Sequence, residues 1–317
     1  MSLTLILPVE LASDIEPHLP PDVQIVRVDS DGNFDHAPLD AEVYINWFYL
    51  KRTTLHKVLA SAPALRWHHT VSAGVNHILT PTFIERNLIL TNSAGVNAVA
   101  VAEFVLTFML YQTKQIANLK NLQHQRNWIK GLELQELMDK TLLIIGTGSV
   151  GIAIAQRAKA FGMKVLGARR HPQPVPEFDE VVGLDRWRSL LPWADYVVIA
   201  IPLTPETQGM IDESALRAMN SHAYLINVAR GAVVDEPALL KALTEGWIGG
   251  AALDTFFTEP LPPESPFWSL PNVFVTPHCA GASPPVRQRL VALFLDNFSR
   301  YLSGMPLRNV VNQKLGY

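Results

Sequence analysis

The chain has 317 residues, of which 48% are hydrophobic and 17% are charged, and its formal net charge is −3 at pH 7. This length predicts two compact domains or one large one, with enough interior to form real cores. The near-neutral charge excludes a strong long-range attraction to nucleic acid or to an anionic membrane surface. The single cysteine, Cys279, excludes an intramolecular disulfide, and no cluster of Cys and His has the spacing of zinc ligands.

The first residues, MSLTLILPVE, lack a basic region and turn acidic quickly, so we interpret them as a strand rather than a signal peptide. No apolar run reaches the roughly 18 residues of a membrane span. These features predict a cytoplasmic protein without a membrane or nucleic-acid partner.

Short apolar runs alternate with helix-like or turn-rich stretches at the start of the chain, which favours a small parallel α/β unit. The predicted strands are LTLILPV (3–9), VQIVRVD (23–29), AEVYINW (41–47), LRWHHTVS (65–72) and LILTN (88–92). A helix is predicted over LHKVLASAPAL (55–65). One long helix is then predicted from Ala98 to Asn127, with an apolar first half in the core and a polar second half at the surface or a subunit interface.

A second α/β series follows, and its runs are apolar on both faces, as those of covered parallel strands are. The runs are TLLIIG (141–146), KVLGA (164–168), DYVVIAI (195–201), AYLINVA (223–229), GGAALDTF (249–256) and NVFVTPH (272–278). An amphipathic helix over 284–303 follows them and is expected to cross back to the first domain. The predicted domains are residues 1–97 with 288–317, and residues 98–287.

A glycine-rich turn follows the first strand of the second series. Gly146-Thr147-Gly148-Ser149-Val150-Gly151 has the pattern G-x-G-x-x-G and opens the helical stretch IAIAQRAKAFG. Glycines let a pyrophosphate approach the backbone, and a helix N-terminus presents N–H groups to it. This context predicts a dinucleotide site, and the alternative is a glycine-rich turn without a ligand.

Further segments, in the same order along nearly the whole chain, resemble the motifs of the D-2-hydroxyacid dehydrogenase family. They are SAGVNHI (72–78), NSAGVNAVAVAEFVL (92–106), ADYVVIAIPLTPETQGMID (194–212), INVARGAVVDEPALLKAL (226–243), ALDTFFTEPLPPESPFW (252–268) and VTPHCAGAS (275–283). The resemblance implies two Rossmann-like or flavodoxin-like parallel-sheet α/β domains, with the active site in the cleft between them. The first of these would be the substrate-binding domain and the second the dinucleotide-binding domain. It also implies a nicotinamide-dependent oxidoreductase of 2-hydroxy acids and 2-keto acids.

By this resemblance, three residues are expected to carry out catalysis. His278 would act as general acid and base, a role suited to an imidazole, which titrates near pH 6.5 when unperturbed. Glu259 would pair with His278, favour the protonated imidazole and fix its tautomer. Arg230 would bind the substrate carboxylate and polarise the carbonyl. A structural ion pair between Arg230 and Glu259 is the alternative.

On the substrate side, the resemblance implies that the backbone N–H groups of Gly74 and Val75 bind the same carboxylate. Asn76 stands where the family often has Asp, which removes a charge but leaves those donors in place. The aromatic run Trp47-Phe48-Tyr49 follows a strand of the first domain, where the family has its substrate-side loop. Trp47 is therefore a candidate substrate-binding residue, with packing in the domain core as the alternative.

On the cofactor side, the resemblance adds residues that follow the later strands of the second series. These are Pro202, Thr207, Ala229, Asp254 and Gly281. Asp254 is expected to lie on the nicotinamide side, or else simply to end a strand. Cys279, next to the histidine, is interpreted as a packed thiol rather than a nucleophile.

Two arginines follow the strand KVLGA, about twenty residues beyond the glycine-rich turn, where a ribose-binding acid is usual. An acid accepts hydrogen bonds from the ribose 2′-hydroxyl and repels a 2′-phosphate, whereas an arginine donates to phosphate oxygens and attracts their charge. Arg169, flanked by Arg170, therefore predicts NADP(H) as the preferred cofactor, with NAD(H) possible and no metal. The alternative is that both side chains lie in solvent.

Glyoxylate and hydroxypyruvate are the favoured substrates. A homodimer is expected because Trp128 follows the polar half of the long helix, where the family has a two-fold contact. A 3-phosphoglycerate dehydrogenase is the enzymatic alternative, although no basic cluster is dedicated to a substrate phosphate. Formate dehydrogenases also resemble the family, but they have Gln where this chain has Glu259. A dinucleotide-sensing corepressor stays open, because such relatives often keep the Arg, Glu and His.

Overall fold

The computed structural model describes residues 3–47 and 51–316. The chain divides into two compact units, residues 1–96 with 283–317 and residues 97–282. A parallel sheet forms the centre of each unit. Over the described ranges, every helix is too short or too polar to span a bilayer.

The first unit has a five-stranded sheet in the order β2-β1-β3-β4-β5. Its strands are β1 (Thr4–Pro8), β2 (Gln24–Val28), β3 (Ala41–Asn46), β4 (Trp67–Thr70) and β5 (Ile89–Thr91), and its connecting helices are α1 (Ala12–Ile15), α2 (Arg52–Ser61) and α3 (Pro81–Glu85). The five predicted strands are confirmed, with shorter ends. Helix α2 ends earlier than predicted because Pro63 disfavours helical backbone at Ala62, which has φ −113° and ψ 80°.

The second unit has a seven-stranded sheet in the order β12-β11-β10-β9-β6-β7-β8. Its strands are β6 (Thr141–Ile145), β7 (Lys164–Ala168), β8 (Glu180–Val182), β9 (Tyr196–Ile199), β10 (Tyr224–Asn227), β11 (Gly250–Leu253) and β12 (Val273–Val275). Its helices are α4 (Ala98–Thr113), α5 (Ile116–His124), α6 (Ser149–Ala160), α7 (Glu213–Ala218) and α8 (Glu236–Thr244). The six predicted strands are confirmed. Strand β8 was missed because it has only two apolar residues, Val181 and Val182, between acidic residues and a glycine.

The prediction of one helix from Ala98 to Asn127 is wrong, because the chain breaks between α4 and α5. Gln115 has φ +49°, in the left-handed region, and its side chain donates to the carbonyl oxygen of Glu133 (3.3 Å). Lys114 likewise donates to the carbonyl oxygen of Gln135 (2.7 Å). Helix α4 is buried over most of its length, while α5 buries no residue. Helix α4 therefore ends where the chain stops packing against the core.

The last helix, α9 (Pro284–Leu302), belongs to the first unit. Its buried hydrophobic residues recur every four positions at Val286, Leu290, Phe294 and Phe298, as expected for one face of a helix. Phe294 stacks on Trp67 of β4, with 5.7 Å between the ring centroids. This helix thus covers the face of the small sheet on which the side chain of Trp67 lies.

Candidate active site

The predicted site residues of the second unit lie at one edge of its sheet. Each follows the carboxyl end of a strand: Gly146 (β6), Arg169 (β7), Pro202 (β9), Arg230 (β10), Asp254 (β11) and His278 (β12). Because the strands are parallel, their carboxyl ends meet at the same edge. The strand order reverses between β6 and β9, and doubly wound sheets bind their ligands beside such a reversal.

The three glycines of the glycine-rich turn lie in different surroundings. Gly146 has φ +110°, and a Cβ there would overlap the carbonyl group of Ala200. A Cβ at Gly151 would overlap the carbonyl oxygen of Gly146. At Gly148, which precedes the first residue of α6, a Cβ would meet nothing within 4 Å. The outer glycines are therefore needed for packing, whereas Gly148 leaves open space in front of a helix N-terminus.

Thr147 supplies a second sign that this turn holds a ligand. The residue is only 6% exposed, and its Oγ1 has no hydrogen-bond partner among residues 3–47 and 51–316. A buried hydroxyl without a partner is costly, so native structures rarely keep one. A phosphate at the N-terminus of α6 is the kind of group that would satisfy it. The turn therefore fits the pyrophosphate of a dinucleotide.

The two arginines after β7 are both half-exposed, and their surroundings differ. Nη2 of Arg170 lies 3.8 Å from Oε2 of Glu206, which also accepts a hydrogen bond from Thr204 Oγ1 (2.7 Å). That hydrogen bond, more than the charge of Arg170, lowers the pKa of Glu206. The guanidinium of Arg169 has no hydrogen-bond or ion-pair partner in the described part of the chain, while its backbone N–H is fixed on Val182 (3.0 Å). Arg169 thus presents a free cation at the position of the usual ribose-binding acid.

The remaining predicted cofactor residues lie in the loops at the same edge. Thr207 Oγ1 accepts from the amide of Thr204 (2.8 Å) and donates to the carbonyl oxygen of Pro202 (2.7 Å). Its hydroxyl therefore closes its own turn. Ala229 is buried in the turn after β10, and Gly281 lies in the loop after β12. Their contact with a cofactor stays a prediction.

His278 and Glu259 form a close side-chain pair. Nδ1 of His278 lies 2.7 Å from Oε2 of Glu259, whose Oε1 accepts from the amide of Phe256 (2.9 Å). Burial raises the pKa of Glu259, but the hydrogen bonds from His278 and Phe256, with the charge of Arg230, lower it overall. An ionised Glu259 makes Nδ1 of His278 the donor, and this leaves Nε2 as the nitrogen for a substrate.

The loop that carries His278 is held by Asp254, which is buried. Oδ1 of Asp254 accepts from Thr276 Oγ1 (2.6 Å) and from the amide of Cys279 (2.9 Å), and Oδ2 accepts from the amide of Ala280 (3.0 Å). His278 lies between these anchors with φ +51°, a left-handed conformation that is unfavourable for a residue other than glycine. Asp254 thus fixes the backbone from which the imidazole projects, a positioning role that sequence reasoning missed.

The cysteine beside the histidine is not activated. Burial, followed by the nearby carboxylate of Asp254, raises the pKa of Cys279. The protonated thiol is a poor nucleophile, since the thiolate is the reactive form. This agrees with the interpretation of Cys279 as a packed thiol.

Arg230 follows β10 in a turn that Asn227 organises. Asn227 Oδ1 accepts from the amide of Ala229 (3.0 Å), and its Nδ2 donates to the carbonyl oxygen of Arg230 (3.0 Å). Burial lowers the pKa of Arg230, and the charge of Glu259 raises it. No carboxylate of the described residues lies within 4.0 Å of the guanidinium, so the alternative of a direct ion pair with Glu259 is absent. Sequence reasoning missed Asn227, for which the only signal was an amide at the end of a strand.

Gly231 brings the Arg230 turn against the turn that leads to Glu259. A Cβ at Gly231 would overlap the backbone of Phe256 and Phe257, so only glycine fits there without a shift. The two turns therefore pack backbone against backbone. This close approach explains why the charge of Glu259 acts on Arg230 without a direct contact.

In the first unit, Gly74 and Val75 lie in the loop that follows β4. Val75 is buried and Gly74 is half-buried. The backbone N–H groups of both make no hydrogen bond within the part of the chain that the structure describes. They are therefore available to an anionic ligand, and their binding of the substrate carboxylate stays a prediction.

Trp47 has a packing role within the first unit. The guanidinium of Arg287 lies over its ring, 4.8 Å from the centroid, and Arg287 is held in turn by Asp14. Contact of Trp47 with a substrate stays a prediction. Phe48 and Tyr49 of the aromatic run lie outside the described residues.

The family is decided by comparison with known proteins. A family model described as D-isomer specific 2-hydroxyacid dehydrogenase, NAD binding domain, matches residues 106–280, which is more than half of the chain. The chain belongs to this family. The predicted family, fold class and enzyme class are therefore confirmed, and the protein is an NAD(P)-dependent oxidoreductase of 2-keto acids and 2-hydroxy acids.

Individual members of the family resemble the chain over most of its length. A glyoxylate reductase of Thermofilum pendens is 39% identical over 268 residues, which are 82% of this chain and 78% of that protein. A glyoxylate/hydroxypyruvate reductase B of Pectobacterium carotovorum subsp. carotovorum is 34% identical over 323 residues, with 99% of each chain covered. The crystal structure of an NADPH-dependent glyoxylate/hydroxypyruvate reductase of Sinorhizobium meliloti, in complex with NADP and sulfate, has a TM-score of 0.85, 28% identity and full coverage of both chains.

Proposed function

We propose that this family member reduces small 2-keto acids with NADPH, and that glyoxylate and hydroxypyruvate are its favoured substrates. The observation that carries the proposal is the 2.7 Å pair of His278 and Glu259 at the same sheet edge as the glycine-rich turn. Two relatives, 39% and 34% identical to the chain over the aligned residues, are a glyoxylate reductase and a glyoxylate/hydroxypyruvate reductase. A cytoplasmic location, expected from the sequence, belongs to the same proposal.

The residues of the chain supply the proton and the binding of the substrate. The nicotinamide, when bound, supplies the hydride to the carbonyl carbon of the keto acid. Nε2 of His278 donates a proton to the carbonyl oxygen, while Glu259 stabilises the imidazolium before the transfer. The guanidinium of Arg230 binds the carboxylate, and the amides of Gly74 and Val75 are further donors to it. The product is a 2-hydroxy acid, and the proton is restored to His278 from water.

A spectrophotometric screen tests this function. The oxidation of NADPH and of NADH is followed with glyoxylate, hydroxypyruvate, pyruvate, 2-ketobutyrate and phenylpyruvate. We expect glyoxylate or hydroxypyruvate to give the highest kcat/KM. Turnover that is absent with all five acids, together with tight dinucleotide binding, would instead support a corepressor-like sensor. Selective turnover of 3-phosphohydroxypyruvate, added as a sixth acid, would support the phosphoglycerate dehydrogenase alternative.

The choice of NADPH rests on the free guanidinium of Arg169. A hydrogen bond to a charged group contributes roughly 1.5–3 kcal/mol. At about 1.4 kcal/mol per tenfold, one such bond to the 2′-phosphate gives a preference of about ten- to a hundredfold. A homologous crystal structure from Xanthobacter autotrophicus, 26% identical with a TM-score of 0.87, is a complex with NADPH.

Steady-state kinetics with each coenzyme tests this choice. We expect kcat/KM to favour NADPH by at least tenfold and Arg169→Ala to lose most of that preference. Arg186→Ala is the matched control, because Arg186 is exposed in the same unit and its guanidinium lies 3.8 Å from Glu180. Equal kcat/KM values for NADPH and NADH in the unmodified enzyme would show that Arg169 does not recognise the 2′-phosphate.

The homodimer is part of the proposal, and an exposed apolar segment supports it. Trp128 is 90% exposed, and four further apolar side chains beyond it are also exposed: Ile129, Leu132, Leu134 and Met138. Such a strip is a common feature of subunit interfaces. We expect light scattering at micromolar concentration to give about twice the chain mass of 35.2 kDa. Trp128→Ser should shift the mass towards the monomer, whereas Trp193→Ser, at a 75% exposed tryptophan elsewhere, should not.

A further inference from the structure

A chain of buried polar side chains crosses the end of the small sheet in the first unit. Trp67 Nε1 donates to Thr91 Oγ1 (2.8 Å), and Thr91 Oγ1 lies 2.7 Å from Nδ1 of His69. Nε2 of His69 lies 3.2 Å from Ser93 Oγ, which donates to the carbonyl oxygen of Thr70 (3.1 Å). All five residues are at most 2% exposed. The catalytic scheme above uses none of these side chains.

The direction of each hydrogen bond in this chain follows from its two ends. A carbonyl oxygen only accepts, so Ser93 Oγ donates its single proton to the carbonyl oxygen of Thr70. Ser93 Oγ must therefore accept a hydrogen bond from Nε2–H of His69. An indole N–H only donates, so Thr91 Oγ1 accepts from Trp67 and gives its own proton to Nδ1 of His69. The neutral Nε2–H imidazole therefore satisfies every member of the chain. His69 is the residue that connects the two hydroxyls.

Ser93 and its neighbour Asn92 also hold the loop after β4, where Gly74 and Val75 lie. The amide of Ser93 donates to the carbonyl oxygen of Ser72 (3.1 Å), and Asn92 Nδ2 donates to the carbonyl oxygen of Ala73 (2.8 Å). With the bond from Ser93 Oγ to Thr70, three carbonyls just before Gly74 are tied to the end of β5. These carbonyl groups are thus fixed by hydrogen bonds to Asn92 and Ser93, while the amides of Gly74 and Val75 stay unpaired among the described residues.

We propose that Ser93, oriented by His69, is a positioning residue that holds the loop at residues 71–75 in the shape that presents the amides of Gly74 and Val75 to the substrate carboxylate. The inference rests on the proposed function, because it takes those amides as carboxylate donors. Ser93 touches no reacting atom and acts only through the loop. Its loss therefore weakens binding of the carboxylate equally in the ground state and the transition state, which changes KM and leaves kcat unchanged.

The first test is the kinetics of Ser93→Ala with the keto acid that the wild-type enzyme reduces best. Loss of one neutral hydrogen bond should raise KM about two- to tenfold, with kcat within about twofold of the wild type. The inhibition constant of oxalate, an unreactive carboxylate probe, should rise by the same factor, and the dissociation constant of NADPH should not change. Thr54→Val is the matched control, because Thr54 Oγ1 is a buried hydroxyl that donates to another carbonyl of the first unit, that of Ser30 (3.0 Å).

The second test separates the two nitrogens of His69. In His69→Gln the side-chain amide nitrogen can occupy the position of Nε2 and still donate to Ser93. In His69→Asn the amide oxygen can occupy the position of Nδ1 and accept from Thr91, but the bond to Ser93 is lost. Both variants lose the imidazole ring beside Phe294, and they differ from each other by one methylene group. We expect a higher KM for keto acid in His69→Asn than in His69→Gln, at equal kcat.

The outcomes separate this inference from the proposed function. A wild-type enzyme that reduces no keto acid overturns the proposed function and this inference with it. An active wild type for which Ser93→Ala leaves the KM for keto acid and the oxalate constant unchanged overturns only the inference. A rise in KM matched by Thr54→Val, or a fall in kcat alone, would likewise assign Ser93 to general stability. If Ser93→Ala does not fold, the pair of His69 variants decides, and equal KM values in that pair overturn the proposal.

Discussion

Lowering the pH from 8 to 5 should reduce the free energy of unfolding by about 4 kcal/mol, because two neighbouring histidines are buried in the neutral form. His68 and His69 lie side by side on β4 and are both fully buried. Burial lowers the pKa of each to about 3, and for His68 the charges of His69 and His77 lower it further. Nδ1 of His68 has no hydrogen-bond partner in the described chain, so a proton there would add a buried N–H without an acceptor.

The sign and the magnitude follow from linkage. A histidine in the unfolded chain titrates near 6.5, so below that pH the unfolded state binds two more protons than the folded state. The full stability is therefore present above about pH 6.5 and is lost progressively as the pH falls towards 3. Each histidine contributes about 1.4 kcal/mol per pH unit, which amounts to about 2 kcal/mol at pH 5. Most carboxylates titrate below this window, so the histidines dominate it.

Urea denaturation followed by far-UV circular dichroism at pH 8, 6.5 and 5 measures this loss. His68→Gln removes one of the two titrating groups and should halve the dependence of the unfolding free energy on pH. His124→Gln, at an exposed histidine of α5, is the control and should leave that dependence unchanged. Equal unfolding free energies at pH 8 and pH 5 in the wild type would refute the reasoning, since the folded state would then accept both protons at no cost.

Three further predictions concern His278, its partner Glu259 and Asp254, which holds the His278 loop. His278→Ala should lower kcat by about a hundredfold or more, the usual contribution of a general acid, and steady-state rates that fall less than tenfold would remove His278 from that role. Glu259→Gln should lower kcat, because His278 loses the neighbouring charge that stabilises its imidazolium before proton transfer; an unchanged kcat would contradict the pairing but not the role of His278. Asp254→Asn offers one acceptor oxygen for three donors, so kcat should fall about ten- to a hundredfold while the KM for keto acid stays nearly constant. A change in that KM alone would argue against the positioning of His278 by Asp254.

Much of the fold was predictable because local pattern determines it. Apolar runs predict the strands. In the turn after β6, Gly151 is required by its contact with Gly146, five positions away, and Gly146 by the backbone that follows the adjacent strand β9. The break between α4 and α5 was not predictable, because Gln115 takes a left-handed conformation without being glycine or asparagine. What fixes that conformation is contact with residues 133 to 135, which lie beyond the helix.

The candidate site was predictable only where the chemistry of a side chain by itself indicates a function. His278, Glu259 and the arginines are conspicuous in the segments that follow the strands. The positioning residues are not, because Asp254 and Ser93 are defined by partners 22 to 26 and 23 to 24 positions away, respectively. From the sequence, Asp254 is a candidate for the nicotinamide side or a strand end, not a support for the His278 loop, and His69 is one more residue of a strand. Their roles come from which loops the sheet brings together.

In both units, a polar side chain at the end of a strand holds the loop that carries a candidate site residue. Asn227 is the last residue of β10, Asp254 follows β11 directly, and Asn92 follows β5 directly. A side chain at the end of a strand has a backbone fixed by the sheet ladder, so its hydrogen bonds extend that rigidity into the next loop. Through such bonds Asn227 holds the turn of Arg230, Asp254 holds the loop of His278, and Asn92 holds the loop of Gly74. The residues that we propose to bind or protonate the substrate can therefore lie on loops and still keep the positional precision that hydride and proton transfer to one carbonyl require.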